Sequence, residues 1–329
     1  MNIEFHYYIL HYLCQAAGFS EDDAGIIACS SQFVDSNVQS YKIETNRGFY
    51  HTRATQNYVF WDSDFEKYAF IPFHFFPGDL EKTGLLRKDR RSNPLCCTAG
   101  SSRVKKLLLR ALKTRNLYRI GIALHTYADS WAHQNFSGRR EEWNRVNADS
   151  LIPPVGHAQV LNSPDIFNSR WEDTRLKDEY RYIKNSARFI KAARMIYKYL
   201  RIYNRLDFED TDFVMSELEE IIGDIGREKT VEERICDIII QTNIAKYDPR
   251  EWTSEALNLP RFSEDELIQK GYEKLMGLKT EFLRKYSLLK ESPVTAKERF
   301  FSTHFYRWTE AAEAHLKDAL DILQRDDPF

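Results

Sequence analysis

The sequence predicts an almost entirely α-helical protein. Apolar residues recur at helical spacing through most of its 329 residues, while alternating, strand-like runs are few and short. Helix punctuation agrees, since Ser20 followed three residues later by Asp23 has the form of a capping pair. At 43% hydrophobic and 29% charged, the chain can bury one large core or two modest ones.

Taken in order, residues 3–17 form a first helix and 20–37 a second. Residues 38–100 are the irregular part, rich in Gly, Asn, Asp and aromatics, with YVFWD and YAFIPFHFF as short strands or tight loops. A connection of that length is functional or hides minor elements. One long helix runs from about 102 to 135, and a second loop covers 136–170. Further helices are expected near 174–204, 211–225, 230–246, 264–287 and 295–324. No repeat or low-complexity linker interrupts the chain, so 1–329 reads as a single domain. Its first part, 1–170, carries the candidate site, and 171–329 is a helical completion or cap that could serve as a lid or dimer surface. Tyr197, Tyr199 and Tyr203 fall at core positions.

Bulk properties exclude several classes. A formal charge of −2 gives no global basic field, so contact with nucleic acid or an anionic membrane needs a local patch. The basic runs RKDRR at 87–91 and RVKK at 103–106 are either a solvated face or a lure for a phosphate-bearing substrate. The opening MNIEFHYYILHYLCQAAGF has neither a basic n-region nor a small-residue cleavage site. Nor does any run of about 18 apolar residues suggest a membrane span, and a cytoplasmic protein is expected. Cys14, Cys29, Cys96, Cys97 and Cys236 lack CxxC spacing, which argues against a disulfide framework or thiolate zinc knot. HExxH, Walker and GxGxxG motifs, an adjacent His-Asp pair and Glu-x-x-His are all absent.

What remains is a set of histidines and carboxylates. In GIALHTYADSWAHQNFSG, residues 121–138, His125, Asp129 and His133 stand four residues apart and share one face of a helix over two turns. Adjacent pairs on such a face can share a metal, and a carboxylate between two histidines can bridge two; the same residues could instead hydrogen-bond within a polar-lined core. Asp35 lies near the end of the second helix, where an acid opposes the helix dipole unless something positive is near; solvation or capping is the other reading. His304 and His315 have no carboxylate partner at i±4 and read as structural, and Trp131 and Trp143 as packing around the site.

The block LHTYADSWAHQNF resembles the H-x-x-x-D…H segment of the zinc-dependent phospholipase C and single-strand nuclease superfamily. Together with EFHYYILHYLCQAAGFSEDDAGIIACSSQFVDSN, PFHFFPG and GHAQVLNSPD, it is similar to an uncharacterised bacterial family that looks like a branch of that superfamily. The likeness covers roughly the first half of the chain. It implies an all-α, multi-helix bundle with long irregular loops and one to three zinc ions, or other divalent metals, at the bottom of a cleft. Carried over by position, it implies His6 as the first-helix ligand, Asp35 as the carboxylate at the mouth that orients or deprotonates water, and His125 and Asp129 as central ligands with Asp129 bridging. His133 and His157 would hold a further metal, and His74, with His51 in reserve, would supply the loop ligand. Three departures stand out. The superfamily uses its processed amino terminus as a ligand, whereas five residues precede His6 here. Three residues separate Asp129 from His133 where the pattern has five. Leu161 stands where a carboxylate would complete a metal, leaving Asp165 as the substitute. The resemblance implies a phosphoester hydrolase acting on a phosphodiester such as a phospholipid, nucleotide or single-stranded nucleic acid. The other expectation is a non-catalytic metal-binding or interaction protein on the same scaffold.

Overall fold

The computed structural model describes residues 1–56, 63–222, 229–259 and 292–326. The chain enters through a wide, π-helical segment, Glu4–Ile9, that tightens into α1 (Leu10–Ala16). Ser20 then caps α2 (Glu21–Ser36), its hydroxyl accepting from the Asp23 N–H at 3.2 Å. β1 (Tyr41–Thr45) and β2 (Gly48–His51) form an antiparallel hairpin. α3 (Ser63–Phe65) runs into a second π-helical segment, Glu66–His74, followed by the short α4 (Leu80–Thr83). The stretch YAFIPFHFF, expected as strand or loop, is thus largely helical; YVFWD lies outside the described residues.

The expected single helix over 102–135 is two, α5 (Ser102–Thr114) and α6 (Leu117–Ala132). Arg115 closes α5 in the left-handed region at φ 55°, and the Asn116 side chain caps α6 by accepting from the Arg119 N–H at 3.1 Å. After β3 (Arg170–Glu172) and β4 (Tyr182–Lys184), which pair antiparallel, come α7 (Asn185–Tyr203), α8 (Thr211–Ile222), α9 (Val231–Thr242) and α10 (Glu251–Ala256). β5 (Leu257–Asn258), β6 (Ser292–Ala296) and α11 (His304–Asp326) complete the described chain. The helix expected at 264–287 lies outside the described residues, and the one expected at 295–324 begins only at His304, after a strand.

The protein is mainly helical, but the expectation of an all-α fold needs correction. β2, β1, β6 and β5 join in one mixed sheet, β1 pairing parallel with β6. The partners come from residues 41–51 and 257–296, so no local alternation over a long run announced the sheet. Among the described residues, no helix is long and apolar enough to cross a membrane.

α6 is the axis of the molecule. Ile120, Ile122, Leu124, Tyr127 and Ala128, which point in several directions around it, are all buried, as expected of a helix enclosed on every side. α2, α5, α7 and α11 pack around it. Gly121 allows α2 to come close: a Cβ there would lie 2.3 Å from the Ile27 carbonyl oxygen and 2.5 Å from the Ser30 Cβ. Arg119, though buried, has a partner in Asp318 on α11 at 2.6 Å. One core cluster unites Leu124 and Tyr127 of α6 with Phe189 and Tyr197 of α7, so side chains from either half of the chain share it. Tyr199 and Tyr203 pack against that cluster from partly buried positions.

Candidate metal centre

Six segments converge at the carboxyl end of α6. His125 and Asp129 face inward from α6 itself, and His133 follows just past its end, its N–H bonded to the Asp129 carbonyl at 2.9 Å. The three therefore share a helix end rather than one continuous helical face. The two π-helical segments deliver His6 and His74. A π turn holds an extra residue and is frequent at functional sites. The last turn of α2 brings Asp35, and the loop beyond 150 brings His157 and Asp165.

Asp129 is the hub. Its Oδ1 lies 3.1 Å from His6 Nε2 and also takes the amino group of Met1, while its Oδ2 lies 3.3 Å from both His74 Nδ1 and His125 Nε2. Asp35 Oδ1 stands 3.7 Å from those same two ring nitrogens. On the other side, Asp165 meets His133 Nε2 at 2.9 Å, His157 Nε2 at 3.1 Å and the Met1 amino group at 3.1 Å. Among the described residues, three groups have donor atoms close enough together to hold an ion: His6–His125–Asp129, Asp35–His74–His125 and His133–His157–Asp165.

All seven residues expected from the sequence, His6, Asp35, His74, His125, Asp129, His133 and His157, thus meet in one place, and Asp165 joins them. His51 does not; it sits exposed on β2. Asp165 meets His133 and His157, and between it and His157 the chain turns at Leu161 with an unusual backbone conformation, φ 52° and ψ −133°. That turn also aims its carbonyl at His157 Nδ1, 2.7 Å away.

The donor set was tested against a metal's requirements. A tetrahedral zinc about 2.0–2.1 Å from nitrogen and oxygen ligands sets neighbouring donors about 3.3 Å apart, and the separations here run from 2.9 to 3.7 Å. The second ring nitrogen of a ligating histidine ordinarily donates to a carbonyl or carboxylate. Three rings obey: His74 Nε2 donates to the Thr55 carbonyl at 3.0 Å, His133 Nδ1 to the His74 carbonyl at 2.9 Å, and His157 Nδ1 to Leu161. The Nδ1 atoms of His6 and His125 are buried without a partner, and these two rings are fixed instead by stacking, 3.8 Å between centroids. The residues fit a metal cluster.

Electrostatics favour the same use. Burial, reinforced by cationic neighbours, drives His6 and His125 down to about 4, so at neutral pH both keep the lone pair a metal takes. Burial opposes protonation of His74 as well, but Asp129 and Asp35 outweigh it and raise that ring; Asp165 does the same for His157. Burial would raise Asp129 and Asp165, yet the Met1 amino group and the surrounding imidazoles hold both well below the usual carboxylate range. Most of the cluster is sealed, but Asp35 is 24%, His157 17% and Asp165 15% exposed, which places the mouth on their side.

Neighbouring expectations resolve as follows. Arg87, from the basic run at 87–91, turns inward, pairs with Asp89 at 2.9 Å and lies 3.8 Å over the Trp143 ring. Trp143 therefore packs against that arginine, and Trp131 against Gly100. His304 bonds Tyr118 and stacks on Trp252; His315 faces the Pro72 carbonyl. All five cysteines are free.

A family model matches residues 1–323. The chain belongs to DUF6765, a family of unknown function. No curated protein and no solved structure matches it. Membership gives this DUF6765 chain kinship without an activity, and the chemistry has to be argued from the site.

Two participants lie outside the expected set: the amino terminus, set aside because five residues precede His6, and a backbone carbonyl. The Met1 amino group reaches Asp129 and Asp165 because the short lead-in to His6 folds back into the site. The Thr55 carbonyl is backbone, and no residue type signals it.

Proposed function

We propose that this protein is a metal-dependent phosphodiester hydrolase of the zinc-dependent phospholipase C and nuclease type. The reading is supported above all by one observation: both oxygens of a buried aspartate, Asp129, face separate sets of histidine nitrogens at ligand-to-ligand spacing. Asp35, His74 and His125 would hold one ion, His6 and Asp129 a second, and His133, His157 and Asp165 a third. Zinc in such a cluster lowers the pKa of water toward 7 and offsets the charge that builds on phosphoryl oxygens during in-line displacement.

The chain's own groups supply the rest. Asp35 is the most exposed carboxylate of the cluster and stands at its mouth, where it orients incoming water and takes its proton. The carbonyls of Thr55, His74 and Leu161 hold three imidazoles in one tautomer, keeping the other nitrogen's lone pair turned inward. No side-chain nucleophile is required. A phospholipid head group, a nucleotide and single-stranded nucleic acid all present the phosphodiester this arrangement suits.

The test is elemental analysis of protein purified without a metal-binding tag, beside a His125→Ala variant and an assay on a chromogenic phosphodiester. Two or three zinc equivalents, fewer in the variant, with hydrolysis lost in parallel, is the expected result. Metal bound without hydrolysis would favour a non-catalytic metal-binding protein, and no metal after zinc is supplied would overturn the reading.

A further inference from the structure

We infer that Asn37, acting through Thr55, is the positioning residue that creates one particular metal position, that of Asp35, His74 and His125; the inference rests on the metal-centre reading above. His74 differs from the other four site histidines. In His6, His125, His133 and His157 the nitrogen nearest a site carboxylate is Nε2, whereas His74 presents Nδ1 and turns Nε2 to the Thr55 carbonyl. A carbonyl can only accept, so this contact puts the proton on Nε2 and leaves the Nδ1 lone pair facing Asp35 and Asp129.

The Thr55 carbonyl is itself held by Asn37. The Thr55 N–H donates to the Asn37 carbonyl at 3.0 Å, and the Asn37 side-chain amide donates to the Arg53 carbonyl at 2.8 Å and to the Thr55 hydroxyl at 3.3 Å. That hydroxyl in turn donates to the Val34 carbonyl at 2.7 Å. Asn37 is buried, follows the last turn of α2 and lies two residues beyond Asp35. The Asn37 side chain, together with its own carbonyl and the Thr55–Val34 bond, therefore ties the loop that orients His74 to the helix end that carries Asp35. His133 leans on the backbone of His74, not on its ring, so the ring can turn while the His133–His157–Asp165 position stays intact.

The test uses the full chain, stripped with a chelator and titrated with zinc against a chromophoric competitor. Far-UV circular dichroism and the melting curve before zinc addition serve as the folding control. In Asn37→Ala, one equivalent should weaken by up to about 10-fold, the low end of the effect of losing a direct outer-shell partner, because the Thr55 carbonyl loosens but remains, while the remaining equivalents keep wild-type affinity. Thr55→Val, which keeps the carbonyl but loses the hydroxyl bonds, should weaken the same equivalent less, and Thr55→Ser should retain all. Unchanged affinity throughout, or equal weakening of every equivalent, overturns the inference; if Asn37→Ala does not fold, Thr55→Val decides by the same criterion. A wild-type chain that takes up no zinc overturns the metal-centre reading as well, a result readily told from the first two.

Discussion

Glu4 and Asp129 are both fully buried carboxylates, and they are satisfied in opposite ways. Glu4 receives both arms of Arg234, at 2.6 and 2.9 Å, from α9. Burial raises its pKa and the guanidinium pulls against that rise; one permanent cation faces one anion, and the pair is complete. Asp129 meets the edges of several imidazoles, two of them kept neutral by burial, besides the Met1 amino group. Imidazoles offer lone pairs as readily as protons, so this surround suits an added cation in a way that a guanidinium never does. A buried charge thus marks a binding centre when its partners are themselves ligands.

That contrast can be broken most forcefully at its hub. Asp129→Asn should release the ions at the His6, His74 and His125 side of the cluster and cut phosphodiester hydrolysis by about 10³-fold, on the scale of the several kcal/mol a metal contributes to a transition state; metal content and rate check it together. At the other carboxylate, Arg234→Met should leave Glu4 charged and alone, lowering stability by about 3–5 kcal/mol, with much of that recovered when Glu4→Met is added. Urea midpoints of the single and double variants measure it. Gly121→Ala should cost about 1–3 kcal/mol, because the new methyl meets the Ile27 carbonyl and the Ser30 Cβ where α2 and α6 touch. Its signature is a lowered melting temperature with zinc stoichiometry preserved.

The smallest effect is on pH dependence. In metal-free protein His6 and His125 have folded pKa values near 4, below the unfolded value of about 6.5. The unfolded chain therefore takes up their protons first, and stability complete above about pH 6.5 is lost as the pH falls toward 4. His74 and His157 are raised and act in the opposite sense: their contribution is complete below about 6.5 and is lost as the pH climbs through the folded values. Urea midpoints of chelator-treated wild type and His6→Gln, compared from pH 4 to 7, should show a shallower acid decline in the variant. Identical slopes would mean that His6 is not held neutral.

Much of this centre could be read in the sequence because its ligands are side chains of rare type. Nine histidines in 329 residues leave few ways to fill a site, and the His125–Asp129 spacing puts two donors on one side of a helix whatever surrounds it. What could not be read was carried by backbone. The break between α5 and α6 turns on a left-handed Arg115 and the capping Asn116, two ordinary residues in a run that is otherwise helical in period. The mixed sheet depends on pairing between β1 and a strand some 250 positions later, and such long-range pairing leaves no local period. The preference for His74 over its reserve His51 was likewise decided by the chain's path: the π-helical segment Glu66–His74 brings His74 to Asp129, while β2 leaves His51 exposed.

Those two wide turns have a consequence for how the chain tolerates change in length. His6 and His74 each ride on a segment wound one residue per turn looser than the α-helix around it, and removing one residue would let the segment tighten. A residue's step in an α-helix is about 100°, so a deletion at Lys67 would swing His74 away from Asp129. A single-residue deletion in Glu66–His74 should therefore be far more damaging to the centre than a substitution at half-buried Lys67.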